Sequence, residues 1–252
     1  MSLVVLTAAA AALATPVTVA AAPRTALSVS PAHVAFDAGG RATLKVETGA
    51  GRRLRLRASV AGLALDRRGK PRVAARRDAA PWLSVSPATI YVGRAGATLV
   101  IASRRQPSSQ AGEHSAVVLL TATAPSAKGV AIELRVGVVV TVRVKGRLVH
   151  RVEVTAARLR RRPRQRYRLI ELTFANRGNV IESIGGPRLR IMLLRRGRVI
   201  ARLPTARRKV LPHTAALVVF PYRGRRLGPA TVRVELPGPG GRIAVRSFPL
   251  RL

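Results

Sequence analysis

The chain has 252 residues, no cysteine, and 46 Lys and Arg against ten Asp and Glu, for a formal net charge of +36. That length can hold two domains of ordinary size, and the missing thiols exclude disulfides and thiolate chemistry, so stability must come from packed cores. Only five of the basic residues are Lys (45, 70, 128, 145 and 209); a GC-rich coding bias explains Arg over Lys, but the shortage of acids points instead to a polyanionic partner that relieves self-repulsion.

The first residues, "MSLVVLTAAAAALATPVTVAAAP", are apolar and rich in small residues, with an A-x-A-like site around Val19–Ala22. They predict a secretory signal peptide over 1–22, without the usual basic residue ahead of the apolar run. The alternative, an uncleaved N-terminal membrane anchor, is disfavoured by Pro16 and the many Ala and Thr. The protein is therefore expected to be exported, to a cell wall, a periplasm-like space or the extracellular medium.

After that segment the chain alternates apolar and polar residues in short runs broken by Gly, Pro and Asn, and no amphipathic helix stands out. "ATLKVET" (42–48), "RLRLRAS" (53–59) and "HSAVVLLTA" (114–122) alternate in this way. In "AIELRVGVVVTVRVK" (131–145), Ile132, Leu134, Val136, Val138, Val140, Val142 and Val144 share one face, with Glu133, Arg135, Thr141, Arg143 and Lys145 on the other. At about 3.3 Å per residue such a strand runs roughly 40 Å, long enough to predict either a bend near Gly137 or an exit towards a second domain.

Further on, "YRLIELTFANRGN" (167–179) predicts a strand entering a turn built on Asn176, Gly178 and Asn179. A hairpin is expected around Arg196–Gly197, and "AALVVFPYRG" (215–224) and "ATVRVELPGPGGRIAVRSFPL" (230–250) supply the last strands. The fold class is all-β, with two tandem immunoglobulin-like β-sandwich domains. Their expected limits are 23–146 and 147–252. The run "RLRRRPRQRYR" (158–168), with seven Arg, lies early in the second. It reads as a solvated loop or, more sharply, as a strip for phosphate or carboxylate groups.

The hexapeptide "LSVSPA" occurs at Leu27–Ala32 and again at Leu83–Ala88. The copies lie too close together to mark two sandwiches of about 100 residues. They read as two similar strand–turn–strand elements inside one sandwich.

No motif for chemistry emerges. His33, His114, His150 and His213 are isolated in sequence; only Glu113 and His114 are neighbours, and adjacent strand residues point to opposite faces. There is no nucleophile elbow, P-loop or paired carboxylates, so no catalytic residue, cofactor or metal is assigned and an enzyme is not expected. Aromatics make up 3% of the chain, too few for the stacking platforms of single-strand binders, so no specific nucleic acid is expected as partner.

"LSVSPAHVAFDAGGRATLKV" followed by "APWLSVSPATIYVGRAGATLVIASRRQPSSQAGEHSAVVLLTA" resembles the immunoglobulin-like sandwiches of the pilus-chaperone and sperm-protein superfamily, and bacterial carbohydrate-associated modules with a "pWlsvsP…G…G" signature. The resemblance implies a structural, core-packed Trp82 and makes 132–144 similar to the last strand of a pilus chaperone's first domain. The segment "LTFANRGNVIESIGGPRLRIMLLRRGRVIARLP", with the strands C-terminal to it, resembles the second domain of secreted cell-wall proteins, above all the peptidoglycan-binding partners of WxL surface proteins. Pilus chaperones anchor a partner carboxylate with an Arg and a Lys, to which no positions are assigned here.

The leading expectation is a non-catalytic cell-envelope protein whose second domain docks on anionic wall polymers. Its contacts would be Arg158, Arg160, Arg161, Arg162, Arg164, Arg166, Arg195, Arg196, Arg198, Arg207, Arg208, Lys209, Arg223, Arg225 and Arg226. The alternative is a periplasmic-type chaperone for pilus or surface subunits that lends a strand edge, formed by Ile132, Leu134, Val136, Val138, Val140 and Val142, to a partner's sheet. An edge that is paired and buried favours the first, an open apolar edge the second. Either way the partner is a wall polymer or a surface protein, and membrane contact is confined to the N-terminal segment.

Overall fold

Apolar residues at every second position let a strand bury one face and wet the other. The computed structural model realises this pattern throughout. It describes residues 27–49, 53–75, 78–104, 111–125, 131–161, 167–186, 189–204, 207–224, 228–237 and 243–251. The expected signal peptide lies outside them.

The first sandwich is built from β1 (Leu27–Ser30), β2 (His33–Asp37), β3 (Arg41–Thr48), β4 (Leu54–Leu65), β5 (Pro71–Ala74), β6 (Leu83–Ser86), β7 (Thr89–Val92), β8 (Ala97–Ser103), β9 (Gly112–Pro125) and β10 (Ala131–Val144). One sheet runs β1-β3-β8-β6; the other runs β2-β10-β9-β4-β5, with β7 also on β4. Leu44, Val46, Leu99 and Ile101 from the first meet Leu56, Val118, Leu120, Val138, Val140 and Val142 from the second. Burying each large aliphatic side chain here contributes roughly 1.5–3 kcal/mol. Trp82, in a single 3₁₀ turn (Ala80–Trp82), packs against this core and meets the His114 ring edge-on at 4.6 Å.

The second sandwich comprises β11 (Val152–Arg161), β12 (Arg168–Asn176), β13 (Glu182–Ile184), β14 (Arg190–Arg195), β15 (Arg198–Leu203), β16 (Arg208–Val210), β17 (Ala215–Tyr222), β18 (Pro229–Pro237) and β19 (Ile243–Arg251). Sheets β11-β12-β17 and β15-β14-β18-β19, with the pair β13-β16, enclose Phe174, Ile170, Leu172, Ile191, Leu193, Val232 and Val234. Arg196 and Gly197 both take positive φ, 47° and 76°, as a two-residue hairpin turn requires. The stretch 158–168 is not simply a loop. Arg158–Arg161 complete β11 and Arg168 opens β12, because Leu159 supplies an inward residue between outward Arg158 and Arg160.

The two hexapeptides do the same thing at opposite sides of the first sandwich. Strands β1 and β6 are the two edges of one sheet. After each comes a cis Ser–Pro bond, at Ser30–Pro31 and Ser86–Pro87. The chain then passes to the facing sheet, where β2 joins β10 and β7 joins β4. The repeat is a sheet-switching element used once per side.

Candidate functional site: the open edge of β10 and the junction cleft

The site begins with β10. It pairs antiparallel with β9 along its whole length, from Ala131↔Pro125 to Val144↔Gly112, without a register shift. Of the two alternatives the sequence left, a bend at Gly137 or an exit towards a second domain, the bend finds no break in pairing; a Cβ there would lie 3.1 Å from Val117 Cγ2, so the glycine leaves room for that neighbour. The other side of β10 is divided. Strand β2 covers Val139–Arg143 in parallel, while among the described residues no strand other than β9 pairs with Ala131–Val138.

Side-chain burial follows the same division. Val138, Val140 and Val142 are fully buried, whereas Leu134 and Val136 are half-buried. Ile132 lies on the open stretch, and its side chain falls outside the described ones. An open edge presents unpaired N–H and C=O groups to any incoming strand. Here the row of apolar residues is continuous with the core, so an added strand would find both main-chain partners and an apolar floor.

The C-terminal end of β10 is sealed by the second sandwich. Leu63, Val117 and Leu211 form a buried junction cluster with Leu65, Leu119, Val139 and Ile181 around it. Asn179 bolts the junction. Its Nδ2 donates to Ala111 O and Arg147 O, each at 2.9 Å, and its Oδ1 accepts from Val149 N–H at 2.7 Å. Its backbone carbonyl accepts Glu113 N–H at 2.8 Å. Glycine is required at 112, where φ is +129° and a Cβ would collide with Asn179 O.

Glu113 completes the joint, accepting from Arg143 Nη2 at 2.7 Å and from Ile181 N–H at 2.9 Å. Burial would raise its pKa, but these two hydrogen bonds and the charges of Arg143 and His150 outweigh that and hold it below the usual value. Beside the joint, His33 shares a 3.1 Å hydrogen bond with Thr141 Oγ1. Burial first, then the charge of Lys209, lowers its pKa, against an opposing pull from Glu113. Two of the other histidines pair with carboxylates, His114 with Asp78 and His150 with Glu182, both at 2.9 Å. Among the described residues no three potential metal ligands gather.

Among the described residues the expected polyanion contacts do not share a single surface. Arg158 and Arg160 lie on β11 and Arg195, Arg196 and Arg198 around the β14–β15 turn, which belong to opposite sheets of the sandwich. Arg223 follows β17 and sits 5.9 Å from the centre of the Tyr167 ring. Arg207 precedes Arg208 and Lys209 on β16. Arg161 ends β11, while Arg162, Arg164, Arg166, Arg225 and Arg226 lie outside the described residues. Of the described ones, Arg158, Arg160 and Arg208 converge in a cleft of about 790 Å³ that they share with Arg67 and Arg68 from the first sandwich, and Arg207, Arg208 and Lys209 line a second one with Arg68. Residues 67 and 68 carry no sequence signal that links them to 158–208; only the fold brings them together.

No protein-family model and no curated protein sequence matches the chain. Solved structures do. The class 5 fimbriae chaperone CfaA matches with a TM-score of 0.48 at 10% identity, over 90% of this chain and 98% of that one. A chain of the Salmonella enterica SafA pilin–SafB chaperone complex gives 0.46 at 15% identity, over 92% and 99%. The Pseudomonas aeruginosa CupB2 chaperone gives 0.41 at 17% identity, over 88% and 100%. These structures are described as chaperones, not as wall-polymer binders or WxL partners. The leading expectation is corrected by the dispersal of the basic strip among the described residues, which removes the surface on which wall docking was to rest.

Proposed function

We propose that the chain is an exported, periplasmic-type chaperone that lends the open edge of β10 to a surface-protein or pilus-type subunit with an incomplete sheet. It acts by binding, without a cofactor, and its working domains are 23–146 and 147–252. The observation that carries this reading is the divided edge of β10: on the side away from β9, β2 covers Val139–Arg143 and leaves Ala131–Val138 without a pairing strand among the described residues. Strand addition there would draw affinity from main-chain hydrogen bonds and selectivity from alternate side chains. Leu134 and Val136 would face the partner's apolar groove. Val138, Val140 and Val142, already buried, would anchor the strand in its own core.

The absence of cysteine makes the test direct. Val136→Cys introduces a unique thiol for cross-linking in the cells that naturally express the chain. The expected result is a covalent complex with one exported subunit, lost when Leu134→Asp is added while the melting temperature is retained. Cross-linking that survives Leu134→Asp would remove the edge from the mechanism.

A further inference from the structure

Alternation decides which residues of a guest strand face inward, and it leaves the register open. On the uncovered half of β10 the inward positions repeat one chemistry, Leu134 and then Val136. A guest that slips by two residues therefore meets an equivalent apolar floor. The outward positions do not repeat. Glu133, Arg135 and Gly137 set an acid, a base and a bare backbone in succession along the open edge, and all three are exposed.

The rest of the sheet leaves these charges legible to a neighbour. Arg135 lies opposite Thr121 of β9, which in turn lies opposite Arg57 of β4. Thr121 is short and neutral, so nothing in that row cancels Arg135, and Arg57 adds a second cation to it. Arg55 lines the same shallow depression of about 650 Å³. Among the described residues neither Arg55 nor Arg57 takes part in an ion pair. Glu133 Oε1 does accept from Arg135 Nη2 at 2.6 Å, but both side chains are more than half exposed. An ion pair in water holds its members weakly. A strand added to the edge would lie about 5 Å away, within reach of both charges.

We propose that Glu133 and Arg135 set the register of the guest strand, which carries a base opposite Glu133 and an acid opposite Arg135 on its outward face. The proposal rests on the strand-lending reading and adds to it which strands the edge accepts. A slip by two residues brings like charges together in either direction. One slip places the guest's acid on Glu133, and the other places its base on Arg135. Attraction in register and repulsion out of it thus act together, which apolar contacts of equal chemistry cannot achieve.

The experiment uses the full chain and three short fluorescein-labelled peptides with Val at alternate positions. Between the valines they carry Lys and Glu, two Glu, or two Lys. Anisotropy is read at about 0.15 M salt, where charges beyond about 8 Å are largely screened. The wild-type chain should bind the mixed peptide most tightly, each mismatched position costing about threefold in affinity. Glu133→Lys should move the preference to the peptide with two Glu, and Arg135→Glu to the peptide with two Lys. Arg198→Glu, on the second sandwich, changes the net charge as much as Arg135→Glu and should leave the order unchanged.

An order of affinities that ignores the substitutions at 133 and 135 would overturn the proposal. The same reordering in Arg198→Glu would overturn it too, by making the attraction diffuse. All binding should be lost in Leu134→Asp. If that loss occurs while the order fails to follow 133 and 135, strand lending stands and the charge code falls. If no peptide binds, or binding survives Leu134→Asp, both fall.

Discussion

The two ends of β10 are written in the same alternating letters and meet different surroundings. From Val139 onward the strand is covered by β2 on its edge and by the second sandwich on its outer face, so even Thr141 is 4% exposed. Before Val139 both covers stop, and Leu134 and Val136 are only half-buried. Identical patterning therefore yields a sealed strand at one end and, among the described residues, an open edge at the other. What differs is the reach of the neighbours, not the strand.

The largest effect that can break this comparison is a charge placed on each half. Val140→Asp buries an unpaired carboxylate and should cost at least about 4 kcal/mol, enough to abolish a cooperative melt. Val136→Asp should cost under about 1.5 kcal/mol, because its carboxylate can reach water at the open edge. Equal losses in thermal unfolding would mean that the N-terminal half is sealed after all.

Next comes the bolt that separates the halves. Asn179→Ala strands Val149 N–H and the carbonyls of Ala111 and Arg147, a cost of roughly 1–3 kcal/mol. Small-angle scattering should show a wider range of inter-domain arrangements in this variant; an unchanged profile would move the joint to the apolar cluster around Leu211.

Glu113 gives a smaller effect with a pH signature. Its folded pKa is depressed, so its contribution is present above the unfolded value of about 4.3 and lost as pH falls through the folded value. Glu113→Gln should therefore lower stability by about 1–2 kcal/mol at neutral pH. The gap from wild type should close below about pH 4. A gap that is constant from neutral pH to pH 3 would show that the charge is irrelevant. Smallest of all, Leu134→Ala should cost less than about 1 kcal/mol, against about 2–5 kcal/mol for Leu120→Ala in the core. Chemical denaturation of the pair would sharpen the contrast, and similar losses would contradict it.

Much of the fold was legible in the sequence. Period-two alternation is a local signal, so the strands at 42–48, 131–145 and 215–224 and the Arg196–Gly197 turn could be read directly. What β10 pairs with could not, because the parallel contact of Val140 with Val34 spans more than a hundred residues and leaves no local trace. The turn chemistry of Asn176 and Asn179 was visible, but not their different roles. Asn176 satisfies Val180 O and Val210 O within its own sandwich, whereas Asn179 reaches across to Ala111. Charge misled most. Arginines adjacent in sequence at 158–168 suggested one strip, while the cleft draws on Arg67 and Arg68 from the other sandwich.

Strand β2 is five residues long, and its partner β10 is fourteen. The sheet switch between β1 and β2 fixes where β2 begins, and the turn at Ala38–Gly40 fixes where it stops. The first "LSVSPA" thus works as a ruler: by setting the length of a cover strand, it sets how many described residues of the long strand keep an uncovered edge. Shifting the point of that switch would lengthen or shorten the uncovered stretch with no change to β10 itself.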